Sequence, residues 1–197
     1  VRVAVVCASH YGATRGIAEH LAGALVRSGA DVAGFDAAEP PHAEAVAGFD
    51  AFVVGSAVYM GHWLRDAASF VRRYQPTLLE HPIWLFSSGP LGTPAADESG
   101  APPAELNPAD LVPAEIGEFT TSVRPVGHRV FSGAIDTDKL SLPHRMIRKF
   151  PGAAEKIPAG DFRDWAAIDA WGLEIAGSLG ICGRPGEPQP TAPSQPR

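Results

Sequence analysis

The chain has 197 residues, of which 45% are hydrophobic, enough for one domain with a substantial core. Its formal net charge of −6 argues against general nucleic-acid binding. Its two cysteines, Cys7 and Cys182, have no metal-ligand spacing and make no disulfide framework, so no metal is expected.

In chain order, Arg2 to Ala8 carries Val3-Ala4-Val5-Val6 and predicts a first strand, its Cys7 a small buried hydrophobe. The spacing then changes to Ile17, Ala18, Leu21, Ala22 and Leu25, which predicts a helix from about Thr14 to Arg27, stopped by Gly29. A second strand fits Asp31 to Phe35, and Pro40-Pro41 breaks the chain before a short helical piece around His42 to Ala47. The third strand is Ala51 to Gly55, running into "GSAVYMGHW". A helix with Leu64, Ala67, Ala68 and Val71 follows, and "PIWLFSS" reads as strand four. Alternating strands and helices predict parallel β-α-β units with helices on both sheet faces.

Residues 92 to 127 hold Pro94, Pro102, Pro103, Pro108 and Pro113 and read as an insertion with one short helix around Ala114 to Thr121. Strand five fits His128 to Ala134, and "SLPHRMIRKF" suggests a short basic helix. A last helix is expected to start at Asp161 as N-cap and to carry Trp165, Ile168, Ile175 and Leu179. One domain over residues 1 to 182 is therefore expected, with a Pro-rich tail at 183 to 197 that has no apolar periodicity and is expected to be disordered. No apolar run is long enough to cross a bilayer, and no signal peptide precedes the first strand, so a cytoplasmic protein is the expectation.

In an open parallel sheet, ligands bind beyond the carboxyl ends of the strands. Three turns leave such ends here: "SHYGATR", "GSAVYMGHW" and "FSSGPLG", all rich in small and hydroxyl residues. In the first, Gly12 lets the backbone approach a ligand, Ser9 and Thr14 supply hydroxyls, and the helix start presents free N–H groups. Neither G-x-x-x-x-G-K-[ST] nor G-x-G-x-x-G is present, so the loop suits a terminal monoester phosphate held by neutral donors. An ordinary β-to-α turn is the plain alternative. The second loop offers Tyr59, Met60 and Trp63 beside Gly61, although Trp63 can equally cap the core. The third offers backbone amides around Ser87, Ser88 and Gly89. A phosphate cradle beside aromatic and amide-rich loops describes a site for flavin mononucleotide, FMN.

Other readings of a phosphate loop fail on spacing. A low-molecular-weight phosphatase needs C-x5-R, whereas seven residues separate Cys7 from Arg15. A receiver domain needs acidic residues where this chain has Ala8-Ser9 and a phosphorylatable Asp where it has Gly55-Ser56. The hydrolase elbow G-x-S-x-G is absent.

The chain resembles the flavodoxin-like proteins, in particular the branch that includes menaquinone-dependent protoporphyrinogen dehydrogenase. The resemblance rests on "SHYGATRGIAEHLA", on "GSAVYMGHW" followed by "FVRRY", on "FSGAID" before a basic stretch, and on "DFRDWAAIDAW". It implies a doubly wound five-stranded parallel sheet of order 2-1-3-4-5, and it implies FMN as cofactor. By position the phosphate loop carries to Ser9, His10, Tyr11, Gly12, Ala13 and Thr14. The isoalloxazine loops carry to Ser56, Ala57, Val58, Tyr59, Met60, Gly61 and His62, and to Ser87, Ser88, Gly89, Pro90 and Leu91. No acid, base or nucleophile carries over, because the chemistry belongs largely to the flavin.

The implied function is FMN-dependent electron transfer between a small organic substrate, protoporphyrinogen-like or a quinone, and a quinone-type acceptor. The alternative is a flavodoxin-type electron carrier with no substrate chemistry of its own. Carriers of this fold are usually compact and strongly acidic around the flavin, whereas this chain is larger and only moderately acidic. The segment "KLSLPHRMIRKF" sets Lys139, Arg145, Arg148 and Lys149 among apolar residues. It fits either a solvated basic helix face or a contact with an anionic membrane on the cytoplasmic side. Candidate partners are thus a redox partner or quinone, a small-molecule substrate and a second copy of the chain as a homodimer.

Overall fold

Alternation along three apolar strands creates two cores, one on each face of a central sheet. The computed structural model describes residues 1–89, 112–135 and 160–181. The parallel strands are β1 (Arg2–Ala8), β2 (Asp31–Asp36), β3 (Ala51–Tyr59), β5 (Ile83–Gly89) and β6 (Gly127–Ser132). They lie in the order β2-β1-β3-β5-β6, the 2-1-3-4-5 order expected of a doubly wound sheet. β3 is buried through its first seven residues and β5 throughout, as strands covered on both faces must be.

Val3, Val5, Val53, Trp84 and Phe86 face one side and pack against helices α1 (Ala13–Ser28) and α6 (Trp165–Ser178). Ala4, Val6, Phe52, Val54 and Leu85 face the other, where they meet α2 (Ala43–Val46), α3 (Arg65–Arg73), α4 (Gln75–Leu79) and α5 (Ala114–Ser122). Gly55 is fixed by this packing, because the Phe86 ring occupies the space of its missing Cβ.

Three expectations change. Strand three does not stop at Gly55: it continues to Tyr59 and turns back through Met60-Gly61 into a sixth strand, β4 (His62–Trp63), antiparallel to it. Met60 and Gly61 both have positive φ, 50° and 80°, the combination that a two-residue hairpin turn requires. Strand five ends at Ser132. After Gly133 a separate two-stranded sheet forms from β7 (Ala134–Ile135) and β8 (Gly160–Asp161). Lastly, Asp161 lies in β8 and does not cap the last helix. Asp164 does, its side chain accepting from the Ala167 N–H at 3.0 Å. The basic stretch with Lys139, Arg145, Arg148 and Lys149, residues 92–111 of the insertion and the tail at 183–197 lie outside the described residues.

Candidate functional site

The carboxyl ends of β1, β3 and β5 finish side by side. Ala8 pairs with Ser56, Ser56 with Ser87, and Ala57 with Ser88. The three segments singled out from the sequence therefore share one edge of the sheet.

The first segment crosses from β1 into α1. Ser9 closes it by accepting the Gly12 N–H on its Oγ at 3.1 Å, which leaves the hydroxyl hydrogen available to donate. Gly12 is the N-cap of α1 with φ 89°, and a Cβ built there meets nothing within 4 Å. No side chain caps this helix start, and its first turn holds no acidic residue. The leading amides of α1 thus meet neither a competing carboxylate nor a capping side chain, the arrangement that favours a bound anion. Thr14 is placed differently from expectation. It is 1% exposed, so its side chain packs beneath the loop while Gly12 and His10 lie on the surface.

The second segment is the β3–β4 hairpin. Tyr59 is part-exposed and Met60 is 99% exposed at its tip, and a Cβ on Gly61 would also meet nothing within 4 Å. The His10 ring meets Tyr59 edge-on, with centroids 5.5 Å apart, and lies 6.0 Å from Tyr11, so the first two segments touch through aromatic rings. Partial burial raises the Tyr59 phenol to about 12, and Tyr11 adds to the shift, so it stays neutral.

Trp63 belongs to the core. It is 4% exposed, packs edge-to-face on Phe119 at 5.4 Å, and donates Nε1–H to Ser87 Oγ at 2.8 Å. No ring face of it is left for a ligand. Ser56 and Ser87, both 0% exposed, lie within strands and use their hydroxyls internally. Ser56 Oγ accepts from Leu64 N at 2.9 Å and donates to the Ala57 carbonyl at 2.8 Å. Ser87 Oγ accepts from Trp63 Nε1–H and shares a second hydrogen bond, also at 2.8 Å, with His128 Nε2. Burial pushes His128 down to about 4, which keeps the imidazole neutral near pH 7. Ser88 and Gly89 are likewise buried, so the third segment offers backbone to the sheet edge and no side chains. Pro90 and Leu91 lie outside the described residues.

Sequence reading missed Glu115. It lies 52 residues from Trp63, and no local pattern announces the contact. Its Oε2 accepts the Trp63 N–H at 3.0 Å and its Oε1 pairs with His62 Nδ1 at 3.0 Å. Burial pulls the carboxyl upward, but the bonds from the Trp63 amide, its own amide and His62 carry it below the ordinary carboxylate value. Cys7 is no nucleophile: burial, with Asp36 adding, raises its thiol to about 11. No three metal-ligating side chains gather among the described residues. Among the described residues the edge therefore offers an anion-binding helix start, an aromatic hairpin and a strip of backbone, with no acid, base or nucleophile aimed at a common point.

Comparison with known proteins agrees with this fold. The sequence profile of the flavodoxin domain family matches residues 4–157. A flavodoxin from the domain Archaea, 14% identical, superposes with a TM-score of 0.56 over 91% of this chain and 99% of its own. A cysteine-to-serine variant of the Pseudomonas aeruginosa flavodoxin, 15% identical, gives 0.55 over 91% and 99%. The flavodiiron core of a Synechocystis protein, 15% identical, gives 0.55 over 91% of this chain but only 36% of that larger one. No curated protein matches the sequence.

Proposed function

The chain belongs to the flavodoxin domain family, and on that premise we propose that it is an FMN-dependent oxidoreductase working between a small organic substrate, protoporphyrinogen-like or a quinone, and a quinone-type acceptor. FMN is the cofactor of the family, and it supplies the redox chemistry when bound. The chain's own residues fit it. The Ser9 hydroxyl and the first amides of α1 are suited to the phosphate, with the open space before Gly12 leaving room for it. Tyr59, Met60 and Gly61 are suited to one side of the ring system, and the backbone at Ser87 to Gly89 to its polar edge.

The observation that carries the enzyme reading is the charge of these segments. Residues 9–15, 56–65 and 87–89 contain no Asp or Glu but do contain His10, Arg15, His62 and Arg65. A carrier docking basic partners through an acidic rim around its flavin would need the opposite sign. Arg15 is paired with Asp36 at 2.6 Å and His62 with Glu115 at 3.0 Å, so the described part of the edge is close to neutral, which suits a neutral quinone.

The experiment is anaerobic turnover of FMN-loaded protein. Reduced protein should be reoxidised by a menaquinone analogue with saturation, and protoporphyrinogen is the first donor to try. Rapid exchange with one-electron protein partners, without saturable oxidation by any quinone, would overturn the enzyme reading. One observation favours that carrier reading, namely Met60, an apolar side chain 99% exposed at the hairpin tip where a protein partner can seat on it. Cytoplasmic location belongs to the same proposal, with the basic stretch from Lys139 to Lys149 resting on an anionic membrane surface where quinone is met. Among the described residues no helix is long and apolar enough to cross a membrane.

A further inference from the structure

The tip of the β3–β4 hairpin is held from outside the hairpin. Two consecutive residues at the start of α5 grip three consecutive hairpin residues. The Ala114 N–H donates to the Gly61 carbonyl at 3.0 Å, and the Glu115 carboxylate takes the Trp63 N–H and His62 Nδ1, each at 3.0 Å. The Glu115 side chain is only 13% exposed, so a charged group has been drawn out of water to serve this contact. The hairpin needs such support. β4 is two residues long, and Met60 stands at φ 50°, a conformation that a non-glycine residue adopts only when its surroundings impose it.

α5 itself has an anchor elsewhere. Glu118, one turn on, forms a two-pronged pair with Arg72 of α3 at 2.8 and 2.6 Å, and Phe119 packs on Trp63. The helix therefore remains docked by Glu118 and Phe119 whether or not Glu115 bonds the hairpin. The two carboxylates of this short element thus differ in reach: Glu118 holds α3 and Glu115 holds the hairpin, while Phe119 packs on Trp63 in either case.

We propose that Glu115 is a positioning residue for the cofactor: its carboxylate sets the hairpin of Tyr59, Met60 and Gly61 in the geometry that receives the flavin ring. The proposal rests on the reading of this hairpin as the ring-side wall. Two consequences follow. Losing the carboxylate leaves the tip on the Ala114–Gly61 backbone bond and the Phe119–Trp63 contact, which loosens it and weakens FMN binding, and losing the neighbouring Glu118 carboxylate does not.

The test compares Glu115→Ala, Glu115→Gln and Glu118→Ala. It reads FMN dissociation constants from quenching of flavin fluorescence, visible circular dichroism of bound flavin, and exchange of the Trp63 amide hydrogen in apoprotein. Glu115→Ala should weaken FMN about tenfold or more, alter the flavin dichroism and deprotect the Trp63 amide. Glu115→Gln keeps an oxygen for that amide and should recover most of the affinity. Glu118→Ala should lower thermal stability while leaving the dissociation constant and the dichroism unchanged. Wild-type binding in Glu115→Ala would overturn the proposal, as would equal losses in Glu118→Ala. If Glu115→Ala does not fold, Glu115→Met, which fills similar space without an oxygen to accept the Trp63 amide, takes its place, and unchanged affinity and dichroism in it would also overturn the proposal. If wild-type protein takes up no FMN, the functional reading is what fails, and a Trp63 amide equally protected in wild type and Glu115→Ala would overturn the positioning role separately.

Discussion

The imidazole of His10 stands edge-on to the ring of Tyr59, centroids 5.5 Å apart and planes at 74°. This contact joins the loop before α1 to the tip of the β3–β4 hairpin, two segments that chain connectivity leaves independent. An edge-to-face pair is worth about 0.5–1.5 kcal/mol beyond the area it buries. Tyr59→Leu should therefore weaken FMN by roughly two- to tenfold. The same change made in a His10→Ala background should cost little more. Fluorescence titration of the two single variants and the double variant gives the coupling directly, and strictly additive losses would mean that the rings merely sit near each other.

Gly12 and Gly55 predict opposite phenotypes from the same residue type. A Cβ at Gly12 meets open space, so Gly12→Asp should fold, at a cost of about 1–2 kcal/mol for its φ of 89°. It also sets a carboxylate at the start of α1, where a phosphate would be repelled, so FMN affinity should fall severely. A Cβ at Gly55 collides with the Phe86 ring at 0% exposure, so Gly55→Ala should lose about 1–3 kcal/mol of stability through overpacking. Urea denaturation of the apoproteins separates the two, and Gly12→Asp binding FMN like wild type would move the phosphate site away from α1.

These two glycines also show where the sequence was legible. β1, α1 and the first five residues of β3 announce themselves by apolar periodicity, and the five-stranded order follows from their alternation with helices. The loop at Ser9 to Thr14 could be read because its glycine and hydroxyls are contiguous. The β3–β4 hairpin was hidden, since its turn is Met60-Gly61 and not one of the Asn-Gly or Asp-Gly pairs that signal such a turn. Ser56 and Ser87 read as loop hydroxyls because composition does not reveal that Leu64, Trp63 and His128 satisfy them inside the fold. Glu115 could not be found at all, since a contact across 52 residues leaves no local trace.

His128 predicts a pH dependence. Its folded value is about 4 against an ordinary 6.5, so the unfolded chain takes up the proton first as pH falls. The stabilisation is complete above about pH 6.5 and is lost progressively toward pH 4. That difference is worth roughly 3 kcal/mol before solvent screening at a part-buried ring and less after it. His128→Gln should lower stability at neutral pH and flatten the loss between pH 6.5 and 4. Parallel stability curves for wild type and variant across that window would show that another group controls acid unfolding.

Met60 places strain, exposure and the proposed chemistry at one residue. Its φ of 50° is unfavourable for a side chain with a Cβ, and at 99% exposure the side chain gains nothing from packing in return. Asn tolerates that conformation better, so Met60→Asn should keep or raise the melting temperature, by the equivalent of up to about 1 kcal/mol. If the apolar tip meets quinone, the same substitution should raise the KM for a menaquinone analogue several-fold in fully FMN-loaded protein, over and above any loss of FMN affinity that follows from Met60 lining the flavin ring. If the tip instead seats a protein partner, quinone kinetics should be unchanged while electron exchange with that partner slows. A stability gain with every electron-transfer rate unaltered would leave the strain without a functional return and remove Met60 from both readings.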